Sequence, residues 1–128
     1  MKRNCLIVLC LCLLVAQGCR RANDVTSDLK LTHEVSPQPP RVGQARVTLL
    51  LTDSSGKPIS RAGLSLEGYM SHAGMKPVSA SVVESEPGRY VSIIDLSMAG
   101  DWVFIVHIQL PGQGSVDRQF EIKGVLPA

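Results

Sequence analysis

Cysteine is missing from most of this sequence, since its four cysteines are Cys5, Cys10, Cys12 and Cys19. Residues 20–128 therefore contain neither a disulfide nor a thiolate, and a fold there must be stabilised by its core alone. Because thiolate is excluded, any ligand for a soft metal in that region must come from methionine or histidine.

The sequence also lacks an apolar run long enough to remain as a transmembrane helix. After Lys2 and Arg3, the longest run extends from Cys5 to Ala16, about a dozen residues where a membrane-spanning helix needs roughly 17 to 25. A charged start followed by a short apolar region is typical of an export signal peptide. We therefore expect a protein that functions outside the cytoplasm.

The end of this signal, Val15-Ala16-Gln17-Gly18-Cys19, resembles a bacterial lipobox. The resemblance implies diacylglycerol on Cys19, cleavage before it and acylation of the new amino terminus, for example by palmitate, giving stable membrane anchoring. The alternative is ordinary signal cleavage nearby, without lipid. We predict a signal peptide (1–18), a lipidated tether (19–27) and a folded domain (28–128). Arg20 is not the aspartate that often retains lipoproteins at an inner membrane, which favours an outer membrane in a cell with two.

Net charge is absent once the signal is removed. Lys2 and Arg3 leave with it, so 11 of the 13 basic residues remain, against 11 acidic residues. A neutral domain offers no basic field to phosphate groups, so we expect no nucleic-acid partner.

Seven segments after residue 28 alternate apolar and polar residues between turn residues, which predicts half-buried strands. They are residues 29–35, 47–51, 64–70, 78–86, 90–96, 102–110 and 116–123. The sixth is apolar at nearly every position and predicts a central strand covered on both faces. Without helical periodicity, this spacing predicts an all-β fold, a single immunoglobulin-like Greek-key β-sandwich of about seven strands.

Methionine and histidine concentrate between the third and fourth of these strands, at Met70, His72 and Met75. Thioether sulfur is soft and imidazole is borderline, so this set favours Cu(I) over magnesium or calcium. Gly74 allows the loop to curl so that the three side chains converge. The alternative is that both methionines only fill gaps under the loop.

Met98 adds a further candidate ligand if its corner lies at the same end of the sandwich. Beside it, Gly100 predicts a turn with positive φ, and Trp102 predicts an anchor in the core. His33 and His107 lie on predicted strands, and we interpret His107 as a structural histidine with its own partners, outside the ligand set.

Four segments together resemble the YtkA-like and FixH-like extracytoplasmic domains. They are Gly56-Lys57-Pro58-Ile59, Met70-x-His72-x-Gly74-Met75-x-Pro77, Gly88-Arg89-Tyr90 and Leu96-Ser97-Met98-Ala99-Gly100-Asp101-Trp102. The resemblance covers roughly residues 29 to 123 and implies an immunoglobulin-like sandwich. It also implies copper contact by Met70, His72 and Met75, with Met98 as companion, although the loop has only one histidine. A lipidated cysteine in place of a transmembrane anchor makes the YtkA-like group the closer match.

The function that this resemblance implies is copper(I) handling for transfer, efflux or oxidase assembly, with an envelope metal-transport or oxidase-assembly protein as partner. The alternative is a β-sandwich that binds a protein of the cell envelope without metal. We do not expect an enzyme, because the sequence has no nucleophile elbow, zinc-protease motif or phosphate loop. Glu84 and Glu86 are paired carboxylates, but beside the Pro87-Gly88 turn we interpret them as solvated charge.

Overall fold

The structure, a computed structural model, describes residues 28–72 and 74–128, which form seven antiparallel β-strands. They are β1 (Lys30–Ser36), β2 (Gly43–Thr52), β3 (Gly63–Met70), β4 (Val78–Glu86), β5 (Arg89–Leu96), β6 (Gly100–Leu110) and β7 (Gly114–Val125). All seven predicted strands are confirmed. These residues include no helix with the length and apolar character that a membrane crossing requires. The predicted signal peptide and the tether with Cys19 lie outside them.

The strands form two facing sheets that share β4. The first sheet has the order β1-β2-β5-β4, and the second has the order β4-β3-β6-β7. Residues 78–81 of β4 pair with β3, whereas residues 82–86 pair with β5. At the crossing point the buried Ser92 hydroxyl donates to the Ser81 carbonyl at 2.7 Å, so neither polar group is left unsatisfied. The predicted all-β immunoglobulin-like sandwich is confirmed.

The core lies between the sheets because each strand turns alternate side chains inward. In β2, for example, Ala45, Val47, Leu49 and Leu51 are buried, while the residues between them face outward. Full burial of a side chain of the size of valine or leucine stabilises the fold by about 1.5–3 kcal/mol. Repeated over both sheets, this burial explains how the domain folds without a disulfide.

Most of the few aromatic side chains form one row through the core. His33 stacks on Phe120 with ring centroids 4.4 Å apart, and Phe120 stacks on Phe104 at 5.4 Å. Phe104 lies beside Trp102 at 6.0 Å. A Cβ atom added at Gly68 would overlap the Phe104 ring, so the close approach of this ring to β3 requires glycine there. The row extends from the gap between edge strands β1 and β7 to the beginning of β6.

The prediction that β6 is covered on both faces is wrong. β6 is central in the second sheet, between β3 and β7, but only its alternate residues from Trp102 onward are buried. On its outer face Val103, Ile105 and His107 are half-buried. Side chains of the neighbouring strands, such as Tyr69 opposite Val103, shield this face, and no further layer of the described chain covers it.

Candidate functional site

The predicted metal ligands lie at the end of the sandwich where β3 ends and β6 begins. Met70 ends β3 and pairs in register with Trp102, near the start of β6. The loop of residues 71–77 and the corner of residues 97–99 therefore meet adjacent strand ends. The corner with Met98 therefore lies at the same end of the sandwich as the loop with Met70, His72 and Met75, which was the condition for counting Met98 as a candidate ligand. We call these four residues the methionine corner.

Met70 is held against this corner by packing. Its side chain is partly buried and contacts the core, and its Cε atom lies 3.2 Å from the position that a Cβ at residue 100 would occupy. Gly100 has φ +123°, which confirms the predicted positive φ and which other residues rarely adopt. Gly100 thus provides both the turn and the space for the Met70 thioether.

Trp102 fixes the backbone of the corner from inside the core. Its ring is buried, as predicted, and its Nε1–H group donates to the Met98 carbonyl at 3.0 Å. The Met98 side chain itself is 43% exposed. The backbone of Met98 is therefore held in place while its side chain remains partly exposed.

His72 and Met75 lie in the adjoining loop. His72 is exposed and Met75 is half-buried. Within the described residues, the His72 ring has no hydrogen-bond or ion-pair partner. Gly74 has φ +88°, which bends the loop as predicted. The structure thus brings Met70 to the corner of Met98 and leaves His72 and Met75 beside it.

The donor atoms of the methionine corner suit a soft metal ion. They comprise thioether sulfurs and one imidazole, and the neighbouring carboxylate of Asp101 is used elsewhere, accepting from the Gly124 backbone N–H at 2.8 Å. Nowhere in residues 28–72 and 74–128 do three or more His, Cys, Asp or Glu side chains form a group that could hold a metal. Methionine is not among those residue types, and thioether with imidazole is the ligand chemistry that Cu(I) prefers.

His107 has its own partners, as the sequence interpretation expected. Its Nδ1 lies 2.8 Å from Asp117 Oδ1, and its Nε2 lies 3.3 Å from Glu67 Oε2. The hydrogen bond to Asp117, followed by that to Glu67, raises the pKa of His107. The pKa of Glu67 is lowered first by its hydrogen bond with Tyr69 and then by His107. One ion cannot be ligated by both carboxylates and the ring, because each carboxylate lies against a different ring nitrogen.

The partners of His107 were missed because they come from other strands. Glu67 is on β3 and Asp117 is on β7, and only the register of β6 with both neighbours brings them to the ring. The sequence signal was that each of the three positions faces outward in the apolar–polar alternation of its own strand. That signal gives the face of the sheet but not the pairing.

The interpretation of Glu84 as a solvated charge is incomplete, because this half-buried side chain is also hydrogen-bonded. Its carboxylate accepts hydrogen bonds from the Ser60 hydroxyl at 2.7 Å, the Arg61 N–H at 3.0 Å and the Gly88 N–H at 3.2 Å. The bond from Ser60 is the largest cause that lowers the pKa of Glu84. The carboxylate therefore ties the β2–β3 connection to the β4–β5 turn. Ser60 is 24 residues away, so no local pattern could indicate this role.

A sequence profile of the YtkA-like family matches residues 24–107, more than half of the chain. The chain belongs to the YtkA-like family. The match includes the whole loop with Met70, His72 and Met75, and also the corner with Met98. It confirms the family that the sequence motifs indicated.

Solved structures add support for the fold of this YtkA-like protein. A DUF4426 family protein from Pseudomonas aeruginosa PAO1 is similar, with a TM-score of 0.59 and 19% identity over 79% of this chain and 93% of that one. At this identity the likeness shows a shared fold alone. Murine CRIg aligns with a TM-score of 0.43 and 14% identity, over 77% of this chain and 98% of that one. Among curated proteins, no sequence matches this chain.

Proposed function

We propose that this YtkA-like protein is an extracytoplasmic lipoprotein, anchored through Cys19, that binds Cu(I) at the methionine corner. One observation carries the copper part of the proposal. Met70 reaches the corner of Met98 at the end of the sandwich from which the loop with His72 and Met75 projects. The partner is an envelope protein of metal transport or oxidase assembly. The domain passes the ion to this partner or shields the partner from the ion.

The ligand chemistry supports handover rather than permanent storage. Thioether and imidazole are neutral, so they leave the charge of the ion uncompensated and hold it less firmly than thiolates would. Met70 is held by the core, whereas His72 is exposed and accessible to a partner. A ligand from the partner can therefore replace His72 while the protein fold stays intact.

The proposal includes no catalytic role. Both ring nitrogens of His107 are occupied by carboxylates, and Glu84 accepts bonds from the backbone. Glu84 does accept from a hydroxyl, that of Ser60, but the same carboxylate also accepts from the Arg61 and Gly88 backbone N–H groups, so we interpret this contact as structural. A screen for hydrolase activity tests this part, and robust turnover would contradict it.

A competitive Cu(I) titration of residues 20–128 tests the copper site. We expect binding of about one equivalent that is lost in the Met70→Leu/His72→Ala/Met75→Leu variant, in which leucine conserves the methionine volume. His33→Asn is the matched control, because it removes a histidine from the other end of the aromatic row. Equal loss in that control, or no binding by the parent, would sink the proposed site. A Met98→Leu variant measures the contribution of the companion ligand.

Lipidation is tested separately in the full chain. We expect tritiated palmitate to label the parent and not Cys19→Ala, and the parent alone to partition into detergent. Labelling that does not depend on Cys19 would contradict the anchor without affecting the copper test. If Cu(I) does not bind, the alternative is a tethered sandwich that binds an envelope protein without metal.

A further inference from the structure

The outer face of the first sheet is unusually apolar. Four aliphatic side chains point away from the core there: Leu50, Val83, Val91 and Ile93. Val83 is 67% exposed, Ile93 is 50% exposed and Leu50 is 39% exposed. A single exposed aliphatic residue needs no explanation, but a contiguous group on a small domain marks an interaction surface. We call these four residues the aliphatic face.

The residues of the aliphatic face are neighbours across three adjacent strands. Val83 on β4 lies opposite Val91 on β5, and Val91 lies opposite Thr48 on β2. Ile93 follows Val91 by two residues and so points the same way, while Leu50 stands in the same relation to Thr48. Val83 and Val91 are directly opposed, with Cβ atoms about 4.5–5.5 Å apart. Ile93 and Leu50 are opposite Arg46 and Arg89 and join the group as next or diagonal neighbours of Val91.

Charged side chains of both signs surround this patch in equal number. They are Lys30, Arg46, Arg89, Glu34, Glu86 and Asp95. None of the six belongs to an ion pair within the described part of the chain. The rim is therefore neutral as a whole, with charges of both signs that lack a partner inside the molecule.

The outer face of the second sheet is more acidic, although it also carries Tyr69, Val103, Ile105 and the imidazole of His107. It carries the carboxylates of Glu67, Asp101, Asp117 and Glu121 and one lysine, Lys123, which already pairs with Glu121 at 3.0 Å. Two copies of this acidic face would repel each other. Self-association through the outer face of the second sheet is consequently disfavoured.

We propose that the aliphatic face packs against the aliphatic face of a second copy of this chain, about a two-fold axis. An isologous contact places a surface against itself, so it requires self-complementarity. The apolar centre buries against its copy, and the mixed rim lets basic side chains face acidic ones of the other copy. Facing sheets pack about 10 Å apart, close enough for aliphatic side chains of this size to interdigitate. The contact leaves the methionine corner, at the end of the sandwich, uncovered in both copies.

Cysteine cross-linking in the full exported chain tests this contact. The single-cysteine variants are Thr48→Cys, Val83→Cys and Ile93→Cys, each treated with a short bis-maleimide. We expect the variant nearest the two-fold axis to give a yield of cross-linked dimer several-fold higher than that of Gln119→Cys. Gln119 is exposed on the outer face of the second sheet and serves as the matched control. The parent chain measures any cross-link through Cys19. Yields no higher than the control at all three positions would overturn the proposal.

Light scattering of the full chain purified in detergent gives a second readout. We expect the parent at the mass of two chains and the Val83→Lys/Ile93→Lys variant at the mass of one, with circular dichroism unchanged. Arg46→Glu should weaken the dimer by making the rim acidic, whereas Lys123→Glu on the other face should not. A monomeric parent, or equal weakening by both charge reversals, would refute a contact through this face.

Discussion

Two loops at opposite ends of β3, residues 53–62 and residues 71–77, are built in contrasting ways. In the first, the Asp53 carboxylate accepts from the Ser55 and Lys57 backbone N–H groups, each at 2.9 Å, and Glu84 bonds the backbone farther along. In the second, no hydrogen bond outside the strands fixes the described residues. One loop uses its polar groups to fix its backbone, and the other has an exposed imidazole and a half-buried thioether that take no part in such bonds among the described residues.

The largest effect is expected from Trp102→Ala, because Trp102 anchors the end of the sandwich from which the second loop leaves, pairing with Met70 and bonding the Met98 carbonyl. We expect the free energy of unfolding to fall by about 3–5 kcal/mol through cavity formation. Urea unfolding of the domain measures the loss. An unchanged midpoint would contradict the anchoring role. Trp102→Phe keeps much of the ring volume but loses the bond to the Met98 carbonyl, so its loss should be smaller.

Tyr90→Phe tests the first loop. The Tyr90 hydroxyl donates to the Ile59 carbonyl at 2.8 Å and accepts from the Ala62 N–H at 3.1 Å. Removing it leaves both partly buried backbone groups without this partner, which we expect to cost about 1–3 kcal/mol. Thermal unfolding of the parent and the variant under the same conditions measures this loss of stability. A neutral result would mean that water replaces the hydroxyl and that this loop is not fixed by its side chains.

The pH dependence of stability tests whether the hydrogen bonds of Glu84 also stabilise the first loop. Its hydrogen bonds, that of Ser60 first, hold the pKa of Glu84 below the usual glutamate value in the folded state. The resulting stabilisation is present above the unfolded pKa and is lost as the pH falls through the folded pKa. Unfolding midpoints of the parent and Glu84→Gln should therefore differ at neutral pH and converge in acid. Glu86→Gln, which removes an exposed carboxylate outside this set of hydrogen bonds, is the matched control.

The smallest stability effect is expected from His72→Ala in the second loop. Because His72 is exposed and lacks partners in the described structure, unfolding should change by less than about 0.5 kcal/mol. Cu(I) affinity should nevertheless fall clearly. A large loss of stability would show that the loop is structural after all and would remove the contrast with residues 53–62.

Much of the fold could be predicted because strand periodicity is local. Alternation within each segment identified all seven strands and inward residues such as Val47 and Leu49 on β2 and Phe120 and Ile122 on β7, although β6 was wrongly expected to be buried on both faces. The division of β4 between two sheets could not be predicted, since both halves show the same alternation. Only their partners, β3 for one half and β5 for the other, distinguish them.

The candidate site divides in the same way. Its residue types and their spacing around Gly74 were visible in the sequence, as was the turn at Gly100. That Met70 lies against Gly100, and so beside Met98, follows from the pairing of β3 with β6. The partners of Glu84 and His107 likewise belong to segments distant in sequence.

The sequence by itself determined the strands, many of the inward residues and the family, because periodicity and short motifs are properties of neighbouring residues. Tertiary structure decided which strand ends meet, which carboxylates are bonded and which outer face stays aliphatic. Those features depend on register between strands, where a shift of one residue would turn every side chain to the other face.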